Sequence, residues 1–148
     1  MKRLYPNKPI VGVGAVLVCN GKVLLVRRSG EPGRGKWSIP GGLVELGERI
    51  EQTLMREVEE ECSLKIGNPK LIDVVNNITL DEKGKIRYHF VIVDYFARVE
   101  GGKLKAGEDA AEVRWVPLRE VEKYDLTKTF RAFFERHREK LERFNSCP

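Results

Sequence analysis

The sequence predicts an α/β protein in which helices cover both faces of a mixed, mostly antiparallel sheet. Three observations lead to this fold class: strand-like segments lie on both sides of one internal amphipathic helix, a second amphipathic helix closes the chain, and there are no repeats or heptads. The chain has 148 residues, which is the size of one ordinary domain. We therefore expect a single domain over residues 1–148.

The first elements are expected to be strands. Residues 11–26 contain two runs rich in β-branched residues, joined by the dipeptide Asn20-Gly21. Asn-Gly is typical of the type I′ turn of a hairpin, so we predict a hairpin here. A loop rich in Gly and Pro follows at 27–36, then a short extended piece at 37–39 and a sharp turn at 40–42.

The internal helix is predicted over residues 48–61, which contain neither Gly nor Pro. Its apolar face carries Leu54, Val58 and Cys62, each four residues after the last. Further strands are expected at 71–78, 88–99 and 113–116, followed by a short helix at 118–123 and a terminal helix that ends near Phe144. We expect the aromatic residues of that last helix to belong to the core.

Composition limits the function only loosely. The 27 Lys and Arg against 22 Asp and Glu give a net charge of +5, which suits polyanionic ligands, either nucleic acid or a small phosphorylated molecule. The three cysteines, Cys19, Cys62 and Cys147, are odd in number and have no spacing typical of pairs or metal sites. We expect free thiols and a cytoplasmic protein, without signal peptide or membrane span.

Three carboxylates share one edge of the predicted helix. At about 100° per residue, Glu57, Glu60 and Glu61 fall within a sector of roughly 100° beside the apolar face. Acidic runs on helices are usually solvated faces. However, hard divalent cations such as Mg²⁺ or Mn²⁺ prefer oxygen ligands shared between carboxylates and a substrate phosphate.

The loop before the helix carries the complementary charge. Arg27, Arg28, Arg34 and Lys36 precede the Gly41-Gly42 turn, and such side chains form charge-assisted bonds to phosphate oxygens. We therefore predict metal-assisted attack on a phosphate ester or anhydride, with the arginines and Gly42 in contact with the substrate.

The segment from Gly42 to Leu64 resembles the Nudix box, G-x5-E-x7-R-E-U-x-E-E-x-G-U, in which U is a bulky aliphatic residue. One position departs from the motif, because Ser63 replaces the glycine at the helix exit. A left-handed conformation there costs serine about 1 kcal/mol more than glycine. The wider likeness covers about residues 9–140 and implies the Nudix α/β/α sandwich.

The resemblance also implies roles for individual residues. Glu57, Glu60 and Glu61 match the metal carboxylates of the family, with Mg²⁺ as the cofactor, and the carbonyl of Gly41 matches its backbone ligand. Arg56 and Glu48 match charged residues that orient the helix. The general base stays open between a box glutamate and two acids of a later loop, Glu108 and Asp109.

The implied activity is a Nudix pyrophosphohydrolase acting on a nucleoside diphosphate linked to another moiety. We expect ADP-ribose, cleaved to AMP and ribose 5-phosphate, because the whole chain looks most like small ADP-ribose pyrophosphatases. The alternatives are a nucleoside triphosphate pyrophosphohydrolase of MutT type and a Nudix-like module that senses a nucleotide without cleaving it. The expected partner is a small nucleotide, with neither a nucleic-acid polymer nor a membrane, and a homodimer is compatible with the sequence.

Overall fold

The computed structural model describes residues 2–148 and contains two four-stranded sheets and two α-helices. The strands are β1 (Ile10–Val16), β2 (Val18–Cys19), β3 (Lys22–Arg28), β4 (Trp37–Ser38), β5 (Gly41–Leu43), β6 (Leu64–Leu80), β7 (Ile86–Gly102) and β8 (Ala110–Pro117), and the helices are α1 (Ile50–Cys62) and α2 (Lys128–Arg143). One sheet has the order β5-β1-β7-β6, and the other contains β2-β3-β4 with β8 on β3. Among the strands that the structure describes within residues 2–148, only β1 and β7 pair in parallel, so the predicted mixed, mostly antiparallel architecture is confirmed.

The central strands are buried on both faces, which makes the fold a sandwich. Val13 and Ala15 of β1 pack in one core with Leu54 and Val58 of α1. The next residue, Val16, packs in a second core with the phenylalanines of α2. Because successive side chains of a strand point to opposite faces, a continuous apolar run serves both helices at once.

The predicted hairpin is confirmed only at its turn. Asn20 and Gly21 take positive φ values of 53° and 74°, and they join β2 to β3. The first half of the predicted hairpin is instead β1, which runs parallel to β7 from Ile10 beside Phe90 to Val16 beside Phe96. A run buried on both faces carries no signal that says which strand will lie beside it.

The internal helix forms as predicted, although it begins at Ile50 instead of residue 48. Ser63 at its exit has φ 61° and ψ 28°, so serine takes the left-handed conformation that the motif glycine would take. The Ser63 N–H donates to the Glu59 carbonyl at 2.9 Å, and its hydroxyl donates to the Lys105 carbonyl at 3.2 Å. These bonds complete the end of the helix without glycine.

The later elements exist where they were predicted, but all three strands are longer than expected. β6 and β7 have 17 residues each and form one long antiparallel hairpin around the turn at 81–84. The register shifts between Gly67 and Lys70, beside Asn68 at φ 50°. The first part of β6 was not predicted from the sequence, because this polar stretch interrupts the pattern of a strand. The short helix at Leu118–Lys123 is a 3₁₀ helix, and α2 ends before Phe144 as expected.

The expectation of three free cysteines is wrong. Cys19 and Cys147 form a disulfide, with Cα atoms 5.2 Å apart, and Cys62 is the free, buried cysteine. Next to the bridge, Val18 N–H donates to the Ser146 hydroxyl at 2.9 Å, and Val99 N–H donates to the Ser146 carbonyl at 2.8 Å. The partners are 128 residues apart, so only the folded chain brings them together.

No helix within residues 2–148 is both long and apolar enough to cross a membrane. The cytoplasmic location stays a prediction.

Candidate functional site

A cavity of about 610 Å³ lies between the β5-β1-β7-β6 sheet, the first turns of α2 and the loop that follows β3. The cavity has two ends that differ in the residues that line them. At one end are the turn at Gly41-Gly42 and the inner edge of α1, and at the other end are side chains of β6, β7 and α2.

Two of the three predicted carboxylates face this cavity. Glu61 accepts a hydrogen bond from the Gly41 N–H at 2.8 Å on its Oε1. The Glu57 carboxylate lies against Gly42, where an added Cβ would collide with it. Glycine at 42 is therefore required by the close approach of helix and turn.

Arg56 holds Glu57 in place. Its Nε and Nη2 donate to the two carboxylate oxygens of Glu48 at 2.7 and 2.9 Å, and its Nη1 donates to Glu57 Oε1 at 2.9 Å. Thr53 also donates its hydroxyl proton to Glu48 Oε1, at 2.6 Å. Arg56 and then Thr53 lower the pKa of Glu48 to about 2. This network matches the orienting roles that the motif implies for Arg56 and Glu48.

The two cavity carboxyl groups lie where burial disfavours their ionised forms. Burial raises the pKa of Glu61 to about 8, against the stabilising hydrogen bond from Gly41, and the negative charges of Glu57 and Asp109 act in the same direction as burial. Burial also raises the pKa of Glu57, although Arg56 opposes the shift. A cation placed between these groups would favour their ionised forms.

Glu60 lies apart from this pair. Its side chain is half exposed and pairs with Arg56 Nη1 at 3.3 Å, outside the cavity wall. Within residues 2–148, no three His, Cys, Asp or Glu side chains converge in a way that could hold a metal ion. The structure thus brings together Glu57, Glu61 and Gly41 of the predicted ligand set and places Glu60 beside them on the helix surface.

Of the predicted arginines in and before the loop that follows β3, one lines the cavity and two lie outside its wall. Arg28 lines the cavity, and its Nε donates to the Pro32 carbonyl at 2.7 Å. Burial lowers the pKa of Arg28, whereas the negative charge of Glu61 raises it. Arg27 points to the other face of β3, where it lies 3.8 Å from Glu112, and Arg34 is exposed outside the cavity wall. The register of β3 against β8 shifts between Arg27 and Arg28, where the two side chains take different positions.

The later loop brings one of its two acids to the site. The Gly107 N–H donates to the Glu61 carbonyl at 2.9 Å, and the Lys105 N–H donates to the Cys62 carbonyl at 3.0 Å, so the loop is fixed to the end of α1. Asp109 lines the cavity, whereas Glu108 is exposed outside it.

The geometry agrees with comparisons to known proteins. The NUDIX domain model matches residues 8–137. The ADP-ribose pyrophosphatase of Methanocaldococcus jannaschii is 35% identical over 121 residues, which cover 82% of this chain and 69% of that protein. The chain belongs to the Nudix family. The expected Nudix sandwich and the expected enzyme class, a Nudix pyrophosphohydrolase, are confirmed.

Other Nudix relatives define the range of similarity. The putative mutator protein MutT4 of Mycobacterium tuberculosis is 36% identical over 107 residues, which cover 66% of this chain but 39% of that protein. The crystal structure of a MutT NUDIX hydrolase from Burkholderia pseudomallei superposes with a TM-score of 0.74 at 31% identity, covering 87% of this chain and 98% of that one. The NUDIX domain of Shewanella oneidensis NrtR, complexed with ADP ribose, superposes with a TM-score of 0.75 at 29% identity, covering 92% and 90%.

The far wall of the Nudix cavity contains residues that the sequence reasoning missed. Neighbouring positions of β6 and β7 supply half of these residues, and the others are Arg3 near the N-terminus and residues at the beginning of α2. The side chains are Arg3, Val75, Asn77, Thr79, Phe90, Ile92, Asp94, Thr127, Lys128, Thr129, Phe130 and Phe133. Asp94 had a readable signal, because it is the one charged residue in the run FVIVDYF. The two tryptophans, Trp37 and Trp115, lie outside this wall.

His137 of α2 is largely buried. Its side chain is only 12% exposed, and its Nε2 lies 2.7 Å from Asp73 Oδ2 on β6. The ring also packs against Phe133, with centroids 4.7 Å apart. The polar character of histidine does not reveal such a partner, because Asp73 lies 64 residues away.

Proposed function

We propose that this Nudix hydrolase cleaves ADP-ribose to AMP and ribose 5-phosphate in a reaction that requires Mg²⁺ or Mn²⁺. The observation that carries the proposal is the cavity itself, whose wall contains the carboxylates of Glu57 and Glu61 and the half-buried side chain of Arg28. Carboxylates on one side and a guanidinium on the other suit a diphosphate with its cation. The archaeal relative named ADP-ribose pyrophosphatase and the ADP-ribose complex of NrtR support the choice of substrate.

The donor set fits a hard divalent cation. The carboxylates of Glu57 and Glu61 and the Gly41 carbonyl are oxygen ligands, and Glu60 stands beside them on α1. The raised pKa values of Glu57 and Glu61 mark a pair of buried acids that a cation would stabilise in ionised form. When bound, Mg²⁺ supplies neutralisation of phosphate charge and activation of water.

The chain's own residues bind, orient and accept a proton. Arg28 binds a phosphate oxygen of the substrate, while Arg56 and Glu48 hold Glu57 in a fixed orientation. The proton of the attacking water passes to Glu61 or to Asp109, because both line the cavity.

A substrate panel with product identification tests this function. ADP-ribose, NADH, coenzyme A, dinucleoside polyphosphates and deoxynucleoside triphosphates are compared at equal Mg²⁺, and ADP-ribose is expected to give the highest kcat/KM. A tenfold preference for any deoxynucleoside triphosphate would establish the MutT-type alternative, which the similarity to the mutator protein MutT4 favours. Binding of ADP-ribose without turnover would indicate a sensing module.

We also propose that the protein forms a homodimer. The outer face of the β6–β7 hairpin exposes Val74, Ile78 and Leu80, each at least half accessible to solvent. These exposed apolar side chains offer a surface that a second copy of the chain would bury. Light scattering coupled to size exclusion should give twice the chain mass, and substitution of Ile78 by Lys should give the monomer.

A further inference from the structure

Asp94 on β7 is a buried carboxylate without a partner. Among residues 2–148, its Oδ1 is the one buried side-chain oxygen or nitrogen that makes no hydrogen bond. The residue is 3% exposed and lines the cavity. An unsatisfied buried acceptor is costly to the folded protein, so its presence in a cavity points to a donor that arrives with a ligand.

The neighbouring strands keep this carboxylate free. Asp94 lies beside Gly14 of β1, where an added Cβ would collide with Oδ1. On its other side lies Asp73 of β6, which is bonded to His137 at 2.7 Å and to Arg136 at 3.2 Å. Of two adjacent acids, Asp73 is therefore satisfied within the protein and Asp94 is not.

The distance from the catalytic end suits a nucleotide lying across the sheet. Gly41, Gly14 and Asp94 are lateral neighbours on three successive strands. With about 4.8 Å between strands, Asp94 lies roughly 10 Å from the Gly41 end. A phosphate held at Glu57 and Glu61 would place the base of the same nucleotide near Asp94.

The apolar residues near Asp94 suit an aromatic base. Phe90 and Ile92 precede it on the same face of β7, and Phe130 and Phe133 of α2 line the same cavity. Flat apolar surfaces suit an aromatic base, and the polar side chains of the same wall, Asn77, Thr79 and Thr129, are available to ribose hydroxyls. We propose that Asp94 selects the nucleobase of the substrate by accepting a hydrogen bond from its amino group. This rests on the proposed function only in taking the substrate to be a nucleotide.

The state of the carboxylate sets the conditions of the test. Burial raises the pKa of Asp94 to about 7, the charge of Asp73 acts in the same direction, and Arg136 opposes it. At pH 8.5 the carboxylate is mostly ionised and acts only as an acceptor.

The experiment compares nucleotides that differ only by the amino group. Binding of AMP and of purine ribonucleoside 5′-monophosphate is measured by titration calorimetry with Mg²⁺ at pH 8.5, and GMP is paired with IMP in the same way. The proteins are the native chain, Asp94→Ala, Asp94→Asn, which keeps an acceptor, and Asp73→Asn as the matched control. We expect the native protein to bind an amino-bearing nucleotide at least about tenfold more tightly than its counterpart.

The variants decide the assignment. Asp94→Ala should reduce the preference to about twofold or less, whereas Asp94→Asn and Asp73→Asn should retain most of it. Equal binding within both pairs by the native protein, or a preference that survives in Asp94→Ala, would overturn the proposal. ADP-ribose turnover is recorded separately, so an Asp94-dependent preference without such turnover would refute the proposed substrate and leave the base assignment standing.

Discussion

The two helical layers of the sandwich contribute to the cavity in different ways. The α1 layer supplies Gly41, Glu57 and Glu61 from one continuous segment, with helical spacing that places the acids on one edge. The α2 layer supplies a wall from β6, β7 and α2, whose residues are far apart in the chain. The first layer carries groups suited to chemistry, and the second shapes the space for the ligand. Local spacing can therefore encode a catalytic edge, whereas a binding wall depends on long-range strand pairing.

The largest expected effect breaks the chemical role of the α1 layer. Glu57→Gln or Glu61→Gln should lower kcat by at least about a hundredfold, because each removes a charged ligand of the proposed cation. The folded structure should survive, which circular dichroism and thermal melting check. Full turnover by either variant at saturating Mg²⁺ would contradict the assigned role, and Glu59→Gln on the exposed side of the same helix is the matched control.

The second prediction tests whether the disulfide between Cys19 and Cys147 stabilises the protein on the side of α2. Cys147→Ser removes the bridge to Cys19 and should lower the free energy of unfolding by about 2 to 3 kcal/mol, because the bridge closes a loop of most of the chain. Urea denaturation of the two proteins measures the difference. Cys62→Ser is not used as a matched control, because the Cys62 thiol is buried in the core beside α1. The native protein is therefore also compared with and without reductant. Equal midpoints with and without reductant would refute the stabilising role.

The third prediction uses pH to distinguish the two carboxyl groups whose pKa values are raised most, Glu61 and Asp94. Folding raises the pKa of Glu61 to about 8 and the pKa of Asp94 to about 7. At pH values between the ordinary pKa of each carboxyl group and its raised pKa, the folded protein therefore binds more protons than the unfolded chain. Without metal, stability should fall as pH rises through that window. Mg²⁺ should offset the loss at Glu61 and stabilise the protein more at pH 8 than at pH 6, because it binds the ionised form.

Thermal melts over pH 5 to 9 measure this linkage in the native protein and in Asp94→Asn. The variant should lose the part of the pH dependence that Mg²⁺ does not remove, an effect of about 2 to 3 kcal/mol between pH 5 and pH 9. A Mg²⁺-induced rise in melting temperature that is independent of pH would show that Glu61 does not change ionisation when the metal binds.

The smallest expected effect concerns the end of α1. Ser63→Gly should stabilise the protein by about 1 kcal/mol or less, because glycine adopts the left-handed conformation without the cost paid by serine. The loss of the bond from Ser63 to the Lys105 carbonyl reduces the gain. Denaturation midpoints measure the change, and kcat should stay the same, because Ser63 lies outside the cavity wall. A destabilised variant would show that the hydroxyl bond outweighs the backbone cost.

The sequence by itself determined the elements whose signals are local. The helix at 50–62, the Asn20-Gly21 turn and the acidic edge follow from helical periodicity, turn chemistry and carboxylate spacing, all of which act over a few residues. The left-handed conformation at Ser63 also followed from the position of the motif glycine.

Only the tertiary structure decided the pairings between distant segments. It placed β1 beside β7, joined Cys19 to Cys147, gave His137 its partner Asp73 and left Asp94 unpaired in the cavity. It also placed Arg28 in the cavity wall and Arg27 outside it. The sequence does not show which face of a strand will line a cavity, because that depends on the elements that pack on each face. Such contacts depend on which apolar runs lie together, and runs buried on both faces are too similar for the sequence pattern to distinguish them.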